Sequence, residues 1–195
     1  MPPKQRFSSD DVINAAYAIV RRDGWQGLSA RTIAKELNAS TRPIYDHLQS
    51  MRKIEEAVVE KALADFVAFI TLERTGDQWL DQALGYVLFA QAEKHLFRCI
   101  NDEKHIPSQR KFSREHWAQL GDQLAGDDRF KDLPEESMNR IRSARWIVLH
   151  GLAFLVSSGW VELPEGEDSK LFSYLGMTVT DFLRRINHAL YEEFK

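Results

Sequence analysis

SARTIAKELNASTRPIYDHL, residues 29–48, reads as two short helices joined by a tight turn. Ile33, Ala34 and Leu37 share one helical face, and Arg31, Lys35 and Glu36 fall on the other. Ser29 is placed to cap the first helix. Asn38 and Ala39 interrupt the pattern, and Ser40 offers an oxygen to the free N–H groups of a second helix beginning at Thr41. Pro43 then sits in a first turn, where a missing N–H costs little. Two helices of about two turns each, with about three residues between them, have the proportions of a helix-turn-helix.

The second helix is the expected reader of DNA. Its exposed first turn carries Thr41, Arg42 and Pro43, while Ile44 and Leu48 face inward. Arginine can grip guanine with two parallel hydrogen bonds, and threonine can bond base edges or pack its methyl on thymine. Tyr45 and His47 can donate to phosphates, which fixes register without reading sequence. The competing reading of the same residues is a surface helix with a solvated arginine and a half-buried tyrosine.

Upstream, Ser8 and Asp11 have the spacing of a capping box, Val12, Ala15, Ala16, Ile19 and Val20 form an apolar stripe, and Gly24 is a natural stop. With Trp25 and Leu28 closing the corner, residues 8–48 make a three-helix unit. Lys4 and Arg6 precede it as a solvated arm. Downstream, Met51 to Arg74 reads as one linking helix with Ile54, Val58, Ala62, Phe66, Phe69 and Ile70 inward. Arg52 and Lys53 oppose the dipole in its first turn, a placement that nearby phosphate would make favourable.

Of the 195 residues, 44% are hydrophobic and 28% charged, so a folded protein is expected rather than a disordered one. The net charge of −3 is unevenly spread. Residues 1–55 hold nine basic and six acidic side chains, a net of +3, and the remainder has a net of −6. That split suits a chain that sets one end on phosphates. The single cysteine, Cys99, excludes an internal disulfide, and the N-terminus lacks an apolar signal core, so a cytoplasmic location is expected. Trp146 to Val156 is the longest apolar run, well short of the roughly 18 residues of a membrane span.

Thr75-Gly76-Asp77 predicts a break, followed by a helix from Trp79 to Ile100, a polar loop over 101–111 and a shorter helix from Ser113 to Leu124. Glu135 and Glu136 open the next helix, which runs to Gly159, and a last helix spans Asp168 to Glu193. These two carry more apolar surface than one domain needs. Packing the pair against a symmetry mate as a four-helix bundle uses that surface; a buried central helix in a monomeric bundle is the alternative.

This organisation resembles the tetracycline-repressor-like (TetR) family of bacterial transcription regulators. Asp23-Gly24-Trp25-Gln26-Gly27-Leu28-Ser29 is similar to the family's glycine-aromatic-x-glycine stop, Ile33-Ala34-Lys35-Glu36-Leu37 to its second helix, and Ile44-Tyr45-Asp46-His47-Leu48 to its recognition-helix signature. The resemblance implies an all-α fold, with an N-terminal three-helix DNA-binding domain (residues 1–50) and a helical ligand-binding and dimerisation domain (residues 51–195) that forms a homodimer. Carried over by position, it makes Arg31, Thr41, Arg42 and Pro43 base contacts and Tyr45 and His47 phosphate contacts on double-stranded operator DNA. Two positions depart from it. Met51 stands where the family has a phosphate-binding lysine, with Arg52 and Lys53 as substitutes, and Leu48 stands where it has phenylalanine.

Trp146, His150 and Gly151 resemble a motif of one subgroup's C-terminal domain. On that likeness Trp146, Leu149, Ala153, Phe172, Leu175, Val179, Phe182, Leu183 and Ile186 are expected at a dimer interface. Phe66, Trp79, Tyr86, Phe89, Trp117 and His150 are expected around a cavity for an apolar or aromatic small-molecule effector. In the family, such a ligand alters the spacing of two readers that must meet major-groove faces about 34–36 Å apart. Repression relieved by ligand is the expected sign.

Other chemistry finds little support. The body's histidines form no metal-ligand spacing, no glycine-rich phosphate loop or nucleophile elbow occurs, and no metal, cofactor or enzymatic activity is expected. Cys99 reads as a small core residue. Two alternatives stay open: a helical dimer that binds a protein partner or small ligand and no longer reads DNA, kept alive by Met51, and an enzyme acting on an apolar substrate.

Overall fold

The computed structural model describes residues 7–42, 44, 50–163, 170–171 and 176–195, with backbone alone at 117–119, 122–125 and 170–171. The described fold is all-α. Its helices are α1 Ser9–Asp23, α2 Ala30–Glu36, α3 Met51–Ile70, α4 Gln78–Ala92, α5 Lys94–Ile100, α6 Ile106–Ala125, α7 Glu135–Ser158 and α8 Val179–Phe194. One small antiparallel ladder pairs Lys170–Leu171 with Met177–Thr178. No helix among the described residues is long and apolar enough to cross a membrane.

The chain forms two compact units, Met1–Asp65 with His95–Phe112, and Phe66–Lys94 with Ser113–Lys195. In the first, α1 begins as the sequence predicts. Ser8 Oγ accepts from the Asp11 N–H at 3.1 Å, and Asp11 Oδ2 accepts from the Ser8 N–H at 2.8 Å. Val12, Ala15, Ala16, Ile19 and Val20 are buried along one face. Tyr17 Oη donates to Asp65 Oδ2 on α3 at 2.5 Å, and Lys61 lies over the Tyr17 ring. Ile54, Val58, Val59, Ala62 and Leu63 of α3 are buried, as are Leu96, Phe97, Cys99 and Ile100 of α5.

In the second unit, α4, α7 and α8 enclose a core that includes Leu80, Leu84, Val87, Leu149, Leu152, Val156 and Leu183. A smaller cluster gathers Trp79, Phe130 and Ile141, with Tyr191 and Phe194 against it. The buried Asp81 carboxylate accepts from the N–H groups of Arg74 and Thr75 at 3.0 and 2.8 Å and from the Thr75 hydroxyl at 2.6 Å. Burial pushes its pKa up, but these hydrogen bonds outweigh it and the net shift is downward.

Four helix limits differ from the sequence-based expectation. The linking helix stops at Ile70 rather than Arg74, because Arg74 folds back and donates to the carbonyls of Phe69 and Leu72 at 2.8 and 2.7 Å. The helix expected over Trp79–Ile100 is two: Glu93, at φ −122° and ψ 46°, ends α4, and α5 starts at once. Residues 106–111 are helical rather than loop, with Pro107 in the first turn of α6 where no N–H is needed. The last helix begins at Val179, not Asp168, capped by Thr178, whose Oγ1 accepts from the Asp181 N–H at 3.1 Å.

Candidate nucleic-acid interface

The corner before α2 explains why glycine occurs twice in Asp23-Gly24-Trp25-Gln26-Gly27. Gly24 ends α1 at φ +72°, a region open to glycine, and donates to Val20 O at 2.8 Å. A side chain at Gly27 would lie 2.6 Å from Asp23 Cβ. Helix α2 follows. Ser29 caps α2 by accepting from the Thr32 N–H at 3.1 Å, and the Thr32 hydroxyl donates back to Gly27 O at 2.8 Å. Asn38, at φ +49°, takes the left-handed position after α2; its N–H reaches Lys35 O at 3.1 Å and the Ala39 N–H reaches Ala34 O at 2.8 Å. Those paired bonds are a Schellman stop with asparagine in the usual glycine place.

Among the described residues of this stretch, burial separates an apolar side from a charged one, with Leu37 half-buried. Ile33, Ala34 and Ile44 are buried, and Arg31, Lys35, Thr41 and Arg42 are exposed. Arg31 and Arg42 form no ion pair with any described residue. Pro43, Tyr45, His47 and Leu48 lie outside the described residues. At the start of α3, Ser50 Oγ accepts from the Lys53 N–H at 3.3 Å. Arg52 and Lys53 are exposed, and Arg52 Nε is 2.9 Å from Glu56. Arg22 bridges α1 and α2, lying 3.0 Å from Asp23 and 3.5 Å from Glu36, and hydrogen bonds to both carboxylates raise its pKa. The unit that carries these residues holds fourteen Lys/Arg against eleven Asp/Glu.

Of the expected effector residues, four come together in the second unit. Phe66 meets Tyr86 and Phe89 edge-on at 5.0 and 5.2 Å, and Tyr86 Oη lies 3.1 Å from His150 Nδ1. Burial raises the Tyr86 pKa and lowers that of His150, so both are uncharged near neutrality. Trp79 packs elsewhere, edge-on to Phe130 at 4.7 Å, and the Trp117 side chain lies outside the described residues.

Of the expected interface residues, Trp146 is 47% exposed, while Leu149, Ala153 and Leu183 are buried in their own unit. Val179, Phe182 and Ile186 are half-buried, and Phe172 and Leu175 lie outside the described residues. The exposed apolar side chains that pattern reading did not single out for this face are Ile147, Phe154, Leu155 and Trp160. Sequence reading also passed over Arg145, which is buried, donates to Asn187 Oδ1 at 3.0 Å and to Trp79 O, and lies over the Trp79 ring. A charged residue inside an apolar stretch was the available signal. Among the described residues no three His, Cys, Asp or Glu side chains are grouped to hold a metal.

An all-α chain in which two capped helices, α1 and α2, are followed by a long helix and a helical body has the TetR-like fold. A solved structure of a protein of unknown function from Rhodococcus sp. RHA1 matches with a TM-score of 0.67 and 17% identity, covering 100% of this chain and 99% of that one. A putative TetR-family transcriptional regulator from Vibrio parahaemolyticus matches with a TM-score of 0.57 and 16% identity, covering 95% of this chain and 97% of its own. Apo ActR from Streptomyces coelicolor matches with a TM-score of 0.55 and 17% identity over the same shares. No protein-family model and no curated relative matches the chain.

Proposed function

We propose that this protein is a DNA-binding transcription regulator that reads a palindromic operator as a homodimer and is released from it by a small molecule held in the body. The observation that carries this reading is helix α2 with the exposed residues that follow it. The helix is capped at both ends, Ile33 and Ala34 on it are buried, and Arg31, Thr41 and Arg42 stand exposed in the more basic unit. The likeness of fold to a regulator from Vibrio parahaemolyticus agrees with it. Arg31, Thr41, Arg42 and Pro43 are assigned to base edges, and Tyr45, His47, Arg52 and Lys53 to phosphates.

The effector is an apolar or aromatic molecule bound against Phe66, Tyr86, Phe89 and His150. The uncharged Tyr86–His150 pair would accept a neutral hydrogen-bonding group more readily than an ion. The dimer uses the exposed apolar side of α7, with Trp146 and Phe154 on it.

Selection of bound fragments from random DNA at physiological salt, with Arg42→Ala beside the natural protein, tests the reading. A palindrome is expected, and the variant should lose about 1–3 kcal/mol of affinity and relax specificity at one base pair. Weak, sequence-blind binding that salt erases would reduce the interaction to electrostatics and overturn the proposal.

A further inference from the structure

His105 lies about eighty residues beyond Trp25 in sequence, yet the two rings meet at 4.8 Å between centroids, tilted by 35°, within the first unit. His105 is only 5% exposed. Neither Trp25 Nε1 nor His105 Nε2 has a hydrogen-bond partner among the described residues. His95 stands at the same corner, its Nδ1 3.1 Å from where a side chain on Gly24 would begin. Segment 95–105 therefore grips the two residues from which the chain turns out of α1 toward α2.

A neutral imidazole can stay there with one unpaired nitrogen at modest cost. An imidazolium would bury a charged N–H with no acceptor, a much larger cost. The usual compensation, a cation against the indole face, is already taken: Lys104 Nζ lies over the Trp25 ring at 5.1 Å and would repel a second positive charge. Three carboxylates come near His105, those of Asp102, Glu55 and Glu56. Each is already engaged. Asp102 accepts from the Lys104 N–H at 3.1 Å, Glu55 lies 3.9 Å from Lys104 Nζ, and Glu56 is paired with Arg52 at 2.9 Å.

We infer that His105 is a proton-operated latch: neutral, it holds Trp25 and fixes the corner from which the helix pair starts; protonated, it releases Trp25 and loosens that corner. Burial first, and then the Lys104 charge, hold its pKa below the ordinary histidine value. The sign follows. The contact is intact above the unfolded-state pKa of about 6.5 and is lost as pH falls through the lower folded value. The operator-binding consequence rests on the function proposed above; the latch itself does not.

The test uses the whole 195-residue chain without DNA. NMR would follow the His105 ring and the Trp25 indole between about pH 7.5 and about pH 5, with amide hydrogen exchange at Gly27–Ile33 alongside. The expected result is a His105 midpoint below the ordinary value, a Trp25 indole signal that moves with the same midpoint, and several-fold faster exchange, corrected for intrinsic rates, at the acid end. His105→Phe, which keeps a ring but cannot titrate, and His105→Gln, which stays neutral and polar, should both flatten the exchange profile. A His105 midpoint at or above the ordinary value, or the same acid-induced exchange in either variant, overturns the latch. Affinity for the selected DNA is then compared at the two pH values. Loss in the natural protein alone extends the latch to DNA reading, whereas failure to select any DNA near neutrality counts against the proposed function and leaves the exchange result standing.

Discussion

Two residues of the second unit are constrained in ways their types do not announce. A side chain at Gly85 on α4 would begin 2.6 Å from Ile70 Cα and 3.2 Å from Ile70 O, and backbone cannot swing aside as a side-chain tip can. Gly85→Ala should cost about 1–3 kcal/mol of stability, measured by chemical denaturation, even though alanine is the better helix former. Arg145 is the second. Burial pulls its pKa down to about 9, which still leaves it a cation at neutral pH. It serves two buried acceptors, Asn187 Oδ1 and Trp79 O. Arg145→Ala should cost about 2–4 kcal/mol by leaving both unpaired, and Arg145→Met, which keeps most of the volume, should cost less.

Among the elements, the start of α4 is fastened from two sides. Asp77 caps it, with Oδ1 accepting from the N–H groups of Trp79 and Leu80 at 3.1 and 3.2 Å. Arg129 grips the same carboxylate at 2.9 and 2.7 Å and also holds Asp127. Asp77→Ala should cost about 1–2 kcal/mol as a lost cap. The Arg129 hydrogen bonds, ahead of other causes, hold Asp77 and Asp127 below the usual carboxylate range. Their contribution is present above the unfolded-state value of about 4 and is lost as pH falls through the depressed folded values, so acid unfolding of Asp77→Ala should show a shallower pH dependence.

Helix ends were legible at Ser8, Gly24, Ser29 and Gly159, where a residue adjacent in sequence supplies the cap or stop and the apolar spacing changes with it. The break at Glu93 was not, because apolar spacing continues from Val87 to Leu96 and nothing local marks the change of direction. The late start of α8 was hidden for a related reason, since the residues before Thr178 carry apolar spacing with no helix breaker ahead of Gly176. In the candidate interface the exposed arginines followed from helical spacing alone. The pairing of Trp25 with His105 could not, being a contact between distant segments.

On the scale of the molecule, the two units differ in charge. The first has a net of +3 and the second −6. DNA affinity should therefore fall steeply with salt, with a log-log slope of about −0.9 per phosphate neutralised, and Lys53→Ala should lessen that slope while leaving sequence preference intact. Association is tested separately. Trp146→Glu combined with Phe154→Glu, both on exposed positions of α7, should shift the sedimenting species from dimer to monomer at unchanged helix content. A natural protein that sediments as a monomer would remove the proposed interface.

The first unit is built from two separated pieces of chain, Met1–Asp65 and His95–Phe112. A growing polypeptide leaves the ribosome from its N-terminus, so α1 and α2 emerge early while Leu96, Phe97, Cys99 and Ile100, buried parts of the same unit, are still unmade. The nascent chain must carry an unfinished first unit until residue 112 has cleared the exit tunnel, with the segment from Phe66 to Lys94 translated in between. Fragments cut near residue 50 would remain in that unfinished condition permanently, which makes residues 1–50 a poor segment to graft onto another protein.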